Sequence, residues 1–335
     1  MRAPAFWSRP PGSPGPAALA LWPLSLVWRL ATALRWRLIR AEKAAIPVVC
    51  VGNLTAGGAG KTPTTIALAQ ALAGRGVAVH VVSRGHGGAA RGPRRVDPLA
   101  DAASEVGDEP LLLALWAPTW VSRDRAAGVR AAARAGARLA LLDDGFQNPR
   151  LRKDLSIVVV DAGAGFGNGR VIPAGPLREP VAAGLARADA AILIGDGAEA
   201  ARTLGDWPAL ARLAPLRARL EPLAAAMPLD GADVVAFAGI GRPEKFFRTL
   251  RALGARLVAT HAFPDHAPYA PRILRRMIEE ARAADAMLVT TEKDAARLSA
   301  ACRSQVLALP VRLSFDNAAA FEALIDRIAA LSSQS

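Results

Sequence analysis

The chain has 335 residues, of which 52% are hydrophobic. That content buries a real core, excludes global disorder, and suits one large α/β domain or two modest ones. Two cysteines, Cys50 and Cys302, exclude a disulfide framework or a cysteine zinc site, fit a reducing compartment, and leave any metal to oxygen ligands. The formal net charge of +13 suits an anionic partner, but Lys43, Lys61, Lys153, Lys245 and Lys293 are the only lysines among 42 basic residues, so an arginine-rich composition explains much of the excess. No basic stripe carries interleaved aromatics, and no nucleic-acid partner is expected.

The first forty-six residues hold Trp7, Trp22, Trp28 and Trp36, and among their charges a single acid, Glu42. The apolar run from Ala17 to Val27 is interrupted by Pro23 and ends at Arg29, short of the roughly 20 apolar residues of a membrane span. A signal peptide is disfavoured, because no small-residue cleavage site precedes the first strand. From Leu24 onward, Val27, Leu30, Ala31, Leu34 and Leu38 share one helical face while Arg29, Arg37, Arg40 and Lys43 gather on the other. Two readings follow: an interfacial helix lying on a membrane, or a helix packed on the protein's own core.

Residues 46–51 (IPVVCV) read as a buried first strand. Gly52-Asn53-Leu54-Thr55-Ala56-Gly57-Gly58-Ala59-Gly60-Lys61-Thr62-Pro63 then runs into a helical pattern. Strand, glycine-rich loop, Gly-Lys-Thr and helix form a P-loop context, in which backbone N–H groups and the helix amino end hold phosphates. Lys61 is the expected contact to the β- and γ-phosphates, and the Thr62 hydroxyl the expected contact to Mg²⁺. Thr55 stands where the general pattern has glycine. The sequence reads as a binder of a nucleoside triphosphate, ATP, with Mg²⁺.

In an open parallel sheet, ligands sit beyond the carboxyl ends of the strands. A second strand at 77–82 leads into Ser83-Arg84-Gly85-His86-Gly87-Gly88, either a phosphate or acceptor loop or a plain turn. Val106-Gly107-Asp108-Glu109-Pro110 precedes a helical run, so Asp108 is either a helix cap or a general base. The strand at 138–142 ends in Asp143-Asp144-Gly145-Phe146-Gln147, the arrangement in which a carboxylate binds Mg²⁺ directly or through water. The strand at 155–161 precedes a Gly/Pro-rich segment, Phe166-Gly167-Asn168-Gly169-Arg170 and Pro173-Ala174-Gly175-Pro176-Leu177-Arg178-Glu179-Pro180, read as both functional and an interdomain linker.

The second half reads as a smaller α/β unit, with strands at 190–194, 234–238, 256–260, 287–290 and 305–311 and helices at 243–253, 269–283 and 317–331. Its polar clusters are Gly239-Ile240-Gly241-Arg242-Pro243, Phe263-Pro264-Asp265-His266 and Thr291-Glu292-Lys293-Asp294. The expected organisation is a helical segment over 1–45, a P-loop domain over 46–175, and a smaller α/β domain over 176–335 that closes the cleft. In fold class this is a P-loop NTPase-like α/β/α domain plus a second, smaller α/β domain, led by an amphipathic membrane-interface helix.

These motifs, in this order, resemble the tetraacyldisaccharide 4′-kinase family, the lipid A kinases of Gram-negative bacteria. The resemblance runs from about Pro47 to about Asp294, and Thr55 is also what this family is like. It implies transfer of the ATP γ-phosphate to the 4′-hydroxyl of a tetraacylated glucosamine disaccharide 1-phosphate, at the cytoplasmic face of the inner membrane. It implies peripheral membrane association and no obligate protein partner. By motif match Asp108 becomes the base and His266 its partner across the cleft, with Lys61 catalytic. Thr62, Asp143 and Asp144 become the metal ligands. Thr55, Ala56, Gly57, Gly58, Ala59, Gly60, Lys61, Thr62 and Arg84 become nucleotide contacts, with Gln147 and Glu179 beside them. The family often has Tyr where this chain has His86. The main rival is an ATP-driven switch with a deviant P-loop, but such ATPases carry a lysine at the position of Ala56 and have no need of Asp108 and His266. A nucleic-acid-dependent ATPase lacks a recognition module.

Overall fold

In the computed structural model, which describes residues 3–223, 228–265 and 267–333, the strands sort into two sheets. The larger is built from β1 (Val48–Gly52), β2 (Val79–Ser83), β3 (Arg94–Arg95), β4 (Thr119–Val121), β5 (Leu139–Asp143), β6 (Leu155–Asp161), β7 (Ala190–Ile194), β8 (Leu216–Pro222) and β13 (Val311–Phe315). Their order is β13-β8-β7-β6-β1-β5-β2-β4-β3, parallel throughout except for the two antiparallel edges, β13 on β8 and β3 on β4. The smaller sheet, β10-β9-β11-β12, is wholly parallel and contains β9 (Asp233–Ala238), β10 (Arg256–Ala262), β11 (Met287–Thr291) and β12 (Leu307–Leu309).

The side-chain alternation of β1 shows why the larger sheet needs helices on both faces. Val49 and Val51 pack with Leu68 and Leu72 of the helix Lys61–Gly74 and with Ile325 and Ile328 of the carboxyl-terminal helix Ala318–Ser333. Val48 and Cys50 point the other way, toward Ala126 and Val129 of the helix Arg125–Arg134 and toward Phe166 and Leu177. Strands buried on both faces must be apolar along their whole length, as 46–51 are. In the smaller sheet Val234 and Ala236 meet Phe246 and Phe247 of the helix Pro243–Ala252, while Val235 and Phe237 meet Leu274 and Met277 of the helix Pro271–Ala283.

Sheet membership differs from the pattern-based expectation in two respects. The strand Ala190–Ile194, expected in the second unit, pairs with β6 in the larger sheet. The smaller sheet is therefore an insertion between β8 and β13, and the antiparallel pairing of these two carries the chain out and back. The Gly/Pro segment 166–180, read partly as an interdomain linker, instead lies in the connection that joins β6 to β7 within one sheet. Periodicity reports whether a strand is buried but not which neighbour it pairs with, and this is why both points were illegible in the pattern.

The amino-terminal helix spans Trp22–Leu38, with Pro23 in its first turn. It is attached to the body by a polar and aromatic stripe. Ser25 Oγ donates to the Val171 carbonyl at 2.7 Å and accepts from the Ala174 amide at 3.2 Å. Trp28 Nε1 donates to the Arg178 carbonyl at 3.0 Å, and the Trp36 ring takes Arg187 at 4.4 Å and Lys153 at 5.2 Å. The apolar face points outward: Leu30 is 71% exposed and Leu38 73%, with Val27 and Leu34 also exposed. The reading in which this face packs on the protein's own core is thereby overturned. No helix of the described residues is long and apolar enough to cross a membrane.

Candidate functional site

β1 runs into the glycine loop at the centre of the larger sheet, flanked by β5 and β6, where chain connections diverge to either side. Gly60 has φ +86, and a Cβ there would lie 2.5 Å from Ile194 Cδ1, so only glycine lets the loop turn tightly into its helix. The helix starts at Lys61, and its Nζ lies 3.3 Å from Asn53 Oδ1 and 3.8 Å from Asp144 Oδ1. A Cβ at Gly57 or Gly58 would meet no protein atom within 4 Å, so this stretch of the loop faces open space. Thr55 forms an isolated bridge with Leu177, the Ala56 amide donates to the Pro176 carbonyl at 2.7 Å, and Arg178 N donates to the Leu54 carbonyl at 2.8 Å. The Gly/Pro segment thus holds the rim of the loop.

The two acids after β5 part company. Asp143 ends the strand, and its Oδ2 accepts from the Ser83 hydroxyl at 3.1 Å. Asp144 turns into the left-handed region at φ +52, its amide held by the Val51 carbonyl at 3.0 Å. Aspartate tolerates that backbone, and the turn carries its carboxylate to Lys61 and, at 2.8 Å, to Arg178. Burial pushes the Asp144 carboxyl up, but Lys61 and Arg178 more than offset it and hold it below its ordinary value. Burial, then the neighbouring Glu109 and Asp144, push Asp143 up to about 7 against the opposing pull of Lys61 and the Ser83 hydroxyl. Asp143 Oδ1 is buried without a hydrogen-bond partner among the described residues.

Gln147 joins the same cluster. Its Nε2 donates to the Asn53 carbonyl at 2.9 Å and to Glu179 Oε1 at 3.0 Å, and its Oε1 accepts from Arg178 at 3.2 Å. Glu179 is buried and gripped by Arg187 through both oxygens, at 2.9 and 2.7 Å. It therefore holds Gln147 and Arg187 in place. Arg84 follows β2 and is exposed at the same end of the sheet.

Asp108 is the first residue of the helix Asp108–Ala114 and lies buried. Gly107 occupies the N-cap position, so Asp108 is a first-turn acid of the helix and not its N-cap residue. Gly107 has φ +92, and a Cβ there would lie 2.7 Å from the His86 carbonyl oxygen. Glycine is needed because the Ser83–Gly88 loop crosses this backbone so closely. The smaller unit meets this helix directly. Arg297 Nε lies 3.5 Å from Asp108 Oδ2, and Lys293 Nζ lies 3.6 Å from Glu109 Oε1 and 3.5 Å from Asp265 Oδ1. A further contact joins Arg242 to Asp161 at the end of β6. His266, the expected partner of Asp108, lies outside the described residues.

Lys61, Asp108, Asp143, Asp144, Gln147 and Glu179 lie at one end of the sheet; Asn53 and Ser83 stand in the sequence motifs without an individual role, and Arg125 and Arg297 stand in none of them. Arg125, almost wholly buried, donates to the Ser122 carbonyl at 2.8 Å, and its Nε has no hydrogen-bond partner among the described residues. Burial lowers its pKa against the pull of Asp143 and Asp144. A buried arginine beside two acids is a structural signal, whereas in the sequence it was one arginine among many.

The donor set fits a magnesium nucleotide. Among the described residues no three His, Cys, Asp or Glu side chains gather into a metal cluster. Mg²⁺ ordinarily takes one or two carboxylates and completes its shell with phosphates and water. An orphaned carboxylate oxygen on Asp143, with Asp144 next to it, matches that requirement.

Fold and site together define a P-loop phosphotransferase with a small α/β insertion. A family model for the tetraacyldisaccharide-1-P 4′-kinase matches residues 17–330. A tetraacyldisaccharide 4′-kinase of Dinoroseobacter shibae is 57% identical over 329 residues, 98% of each chain, and one of Rhodospirillum centenum is 56% identical over 318 residues, 94% of this chain and 93% of that one. Among solved structures, LpxK from Aquifex aeolicus, an apo form in complex with ATP, is similar with a TM-score of 0.71 and 26% identity, covering 93% of this chain and 99% of that one. The chain belongs to the tetraacyldisaccharide 4′-kinase family. Its activity is that of a kinase of lipid A biosynthesis.

Proposed function

We propose that this chain transfers the γ-phosphate of ATP to the 4′-hydroxyl of a tetraacylated glucosamine disaccharide 1-phosphate, with the roles of individual residues as follows. The observation that carries the reading is the convergence of Lys61, Asp143 and Asp144 on the open face of the glycine loop, with one Asp143 oxygen left without a partner among the described residues. The ATP-bound relative supports the nucleotide, since that protein shares the fold over nearly the whole chain.

The backbone amides of 57–60, the amino end of the helix from Lys61, and Lys61 itself hold the triphosphate, whereas the Ala56 amide is spent on the Pro176 carbonyl. Arg84 reaches the nucleotide from the loop after β2, while Gln147 and Glu179 fix the loop rim from behind. Thr62, Asp143 and Asp144 are the residues that would hold Mg²⁺, which when bound neutralises charge on the phosphate oxygens. Asp108 accepts the proton of the acceptor hydroxyl as that oxygen bonds to phosphorus, and ADP departs as the bond to its β-phosphate oxygen breaks. His266 is proposed as the partner of Asp108. Most of the acceleration comes from placement and charge, because phosphoryl transfer demands little other chemistry of the protein.

The larger sheet binds nucleotide, and the smaller unit closes over the acceptor. The acyl chains keep the substrate in the bilayer, so the enzyme must go to it. An exposed row of Val27, Leu30, Leu34 and Leu38 beside Arg29 and Arg37 suits an anionic membrane surface. The association is peripheral, at the cytoplasmic face of the inner membrane where ATP is present.

The test is incubation of the purified protein with γ-labelled ATP, Mg²⁺ and the detergent-dispersed disaccharide 1-phosphate. Label in the lipid, lost in Lys61→Ala, is the expected result. Release of free phosphate that is indifferent to the lipid would overturn the reading in favour of an ATPase switch.

A further inference from the structure

Arg297 belongs to none of the motifs by which the chain resembles its family, yet among the described residues it reaches Asp108 from the smaller unit. Its guanidinium is held by its own unit at several points. Nη2 donates to the Gly239 carbonyl at 2.7 Å and to Asp294 Oδ1 at 2.5 Å, Nη1 donates to the Ala267 carbonyl at 3.1 Å, and the Tyr269 ring lies 5.5 Å from it. Asp294 is itself fully buried and saturated: it accepts from the Gly239 amide at 3.1 Å, from the Tyr269 hydroxyl at 2.7 Å and from the Thr291 hydroxyl at 2.6 Å. The two terminal nitrogens are occupied within the unit, and Nε, which donates to the Lys293 carbonyl at 3.4 Å, also lies 3.5 Å from Asp108 Oδ2.

Two consequences follow from that geometry. The guanidinium is fixed before Asp108 arrives, because every strong contact it makes lies in the smaller unit. The pair is also nearly closed to water, with side-chain exposures of 6% on both sides, so its attraction is weakly screened. At 3.5 Å the link is an ion pair without a tight hydrogen bond, which orients the carboxylate.

We infer that Arg297 is a positioning residue for Asp108: it holds the carboxylate toward the cleft and makes the placement of the base depend on docking of the smaller sheet. The inference rests on Asp108 being the base. Lys293 reinforces the same docking through Glu109, next to Asp108 on the same helix. Thr291-Glu292-Lys293-Asp294 thereby has a physical role. Asp294 anchors Arg297, Lys293 pairs with Glu109, and Glu292 accepts from the Val311 amide at 3.0 Å, where the chain returns to the larger sheet.

The experiment is a double-mutant cycle in the full-length, detergent-solubilised enzyme with labelled ATP. Arg297→Gln is expected to lower kcat by about tenfold to a hundredfold, a part of what a general base supplies, while leaving KM for ATP within about twofold. In an Asp108→Asn background the same change is expected to lower kcat no further, because a residue that acts through Asp108 has nothing left to position. Arg297→Lys is expected to fold and to recover only part of the loss, since one ammonium cannot serve Gly239, Ala267, Asp294 and Asp108 together. Arg297→Gln that retains kcat, that raises KM for ATP in step with the loss, or that multiplies the Asp108→Asn defect overturns the inference. If Arg297→Gln does not fold, Arg297→Lys is read by the same three criteria. If Asp108→Asn itself retains kcat, the base assignment fails, and the failure is separate from that of Arg297.

Discussion

Lys61 and Asp144 stand 3.8 Å apart, the lysine at the start of the loop helix and the acid one residue beyond β5. Asp144 also holds Arg178, and Lys61 also meets Asn53, so an incoming polyphosphate finds its cation already aimed and only partly neutralised. Lys61→Ala is expected to lower turnover by at least about a hundredfold. The fold should persist, because the apolar contacts of the helix come from Leu68 and Leu72 deeper along it. Turnover in the lipid-labelling assay beside an unfolding curve checks this; undiminished turnover would contradict the P-loop assignment.

Asp108 begins its helix without capping it, and its removal is expected to touch chemistry rather than nucleotide affinity. Asp108→Asn should lower kcat by about a hundredfold or more with little change in KM for ATP. A change confined to KM for ATP would contradict the role as base.

Asp143 gives a pH signature. Its carboxyl is pushed up to about 7, first by burial and then by Glu109 and Asp144. A carboxyl whose pKa is raised by folding contributes its stability in full below the unfolded value and loses it as pH rises through the folded one. Asp143→Asn, uncharged throughout, is therefore expected to melt above the parent at pH 8 in Mg²⁺-free buffer and to lose that advantage at pH 5. Thermal unfolding at the two pH values checks the sign, and an Asn variant that melts below the parent at pH 8 contradicts it. The same variant should be inactive if Asp143 holds the metal.

The amino-terminal helix can be tested without removing it. Deletion of residues 1–40 would also break the Trp7 Nε1 bond to the Pro173 carbonyl and the Ser25 and Trp28 bonds to the segment that carries Arg178. Leu30→Glu with Leu34→Glu changes only exposed positions. The pair is expected to weaken vesicle co-sedimentation by at least about tenfold, as two leucines no longer enter the apolar boundary, with ATP binding unchanged. Equal sedimentation of parent and variant would contradict the interfacial role.

The legibility of this chain is uneven for physical reasons. The glycine loop could be read directly because its geometry is local: Gly60 and Lys61 are adjacent in sequence and in function. Asp143 and Asp144 could be read as a pair, but their separation into a buried acid near Ser83 and a turned-out acid near Lys61 depended on the φ of one residue and on neighbours 60 and 83 positions away. The outward apolar face of the first helix was one of two open readings. The face it buries is polar, and hydrophobic periodicity says that a face is apolar without saying what it meets.

By itself the sequence determined the phosphate loop, the acids at the strand ends, the amphipathic helix and the presence of a second α/β unit. These are short-range patterns of period, turn and cap that each segment carries alone. Tertiary structure decided which sheet each strand joined, that 166–180 lies in a connection within the larger sheet, and that Arg297 lies against Asp108 from 189 positions away. Those are matters of pairing between distant segments. A buried ion pair takes its meaning from which surfaces exclude water around it, and only the folded chain specifies them.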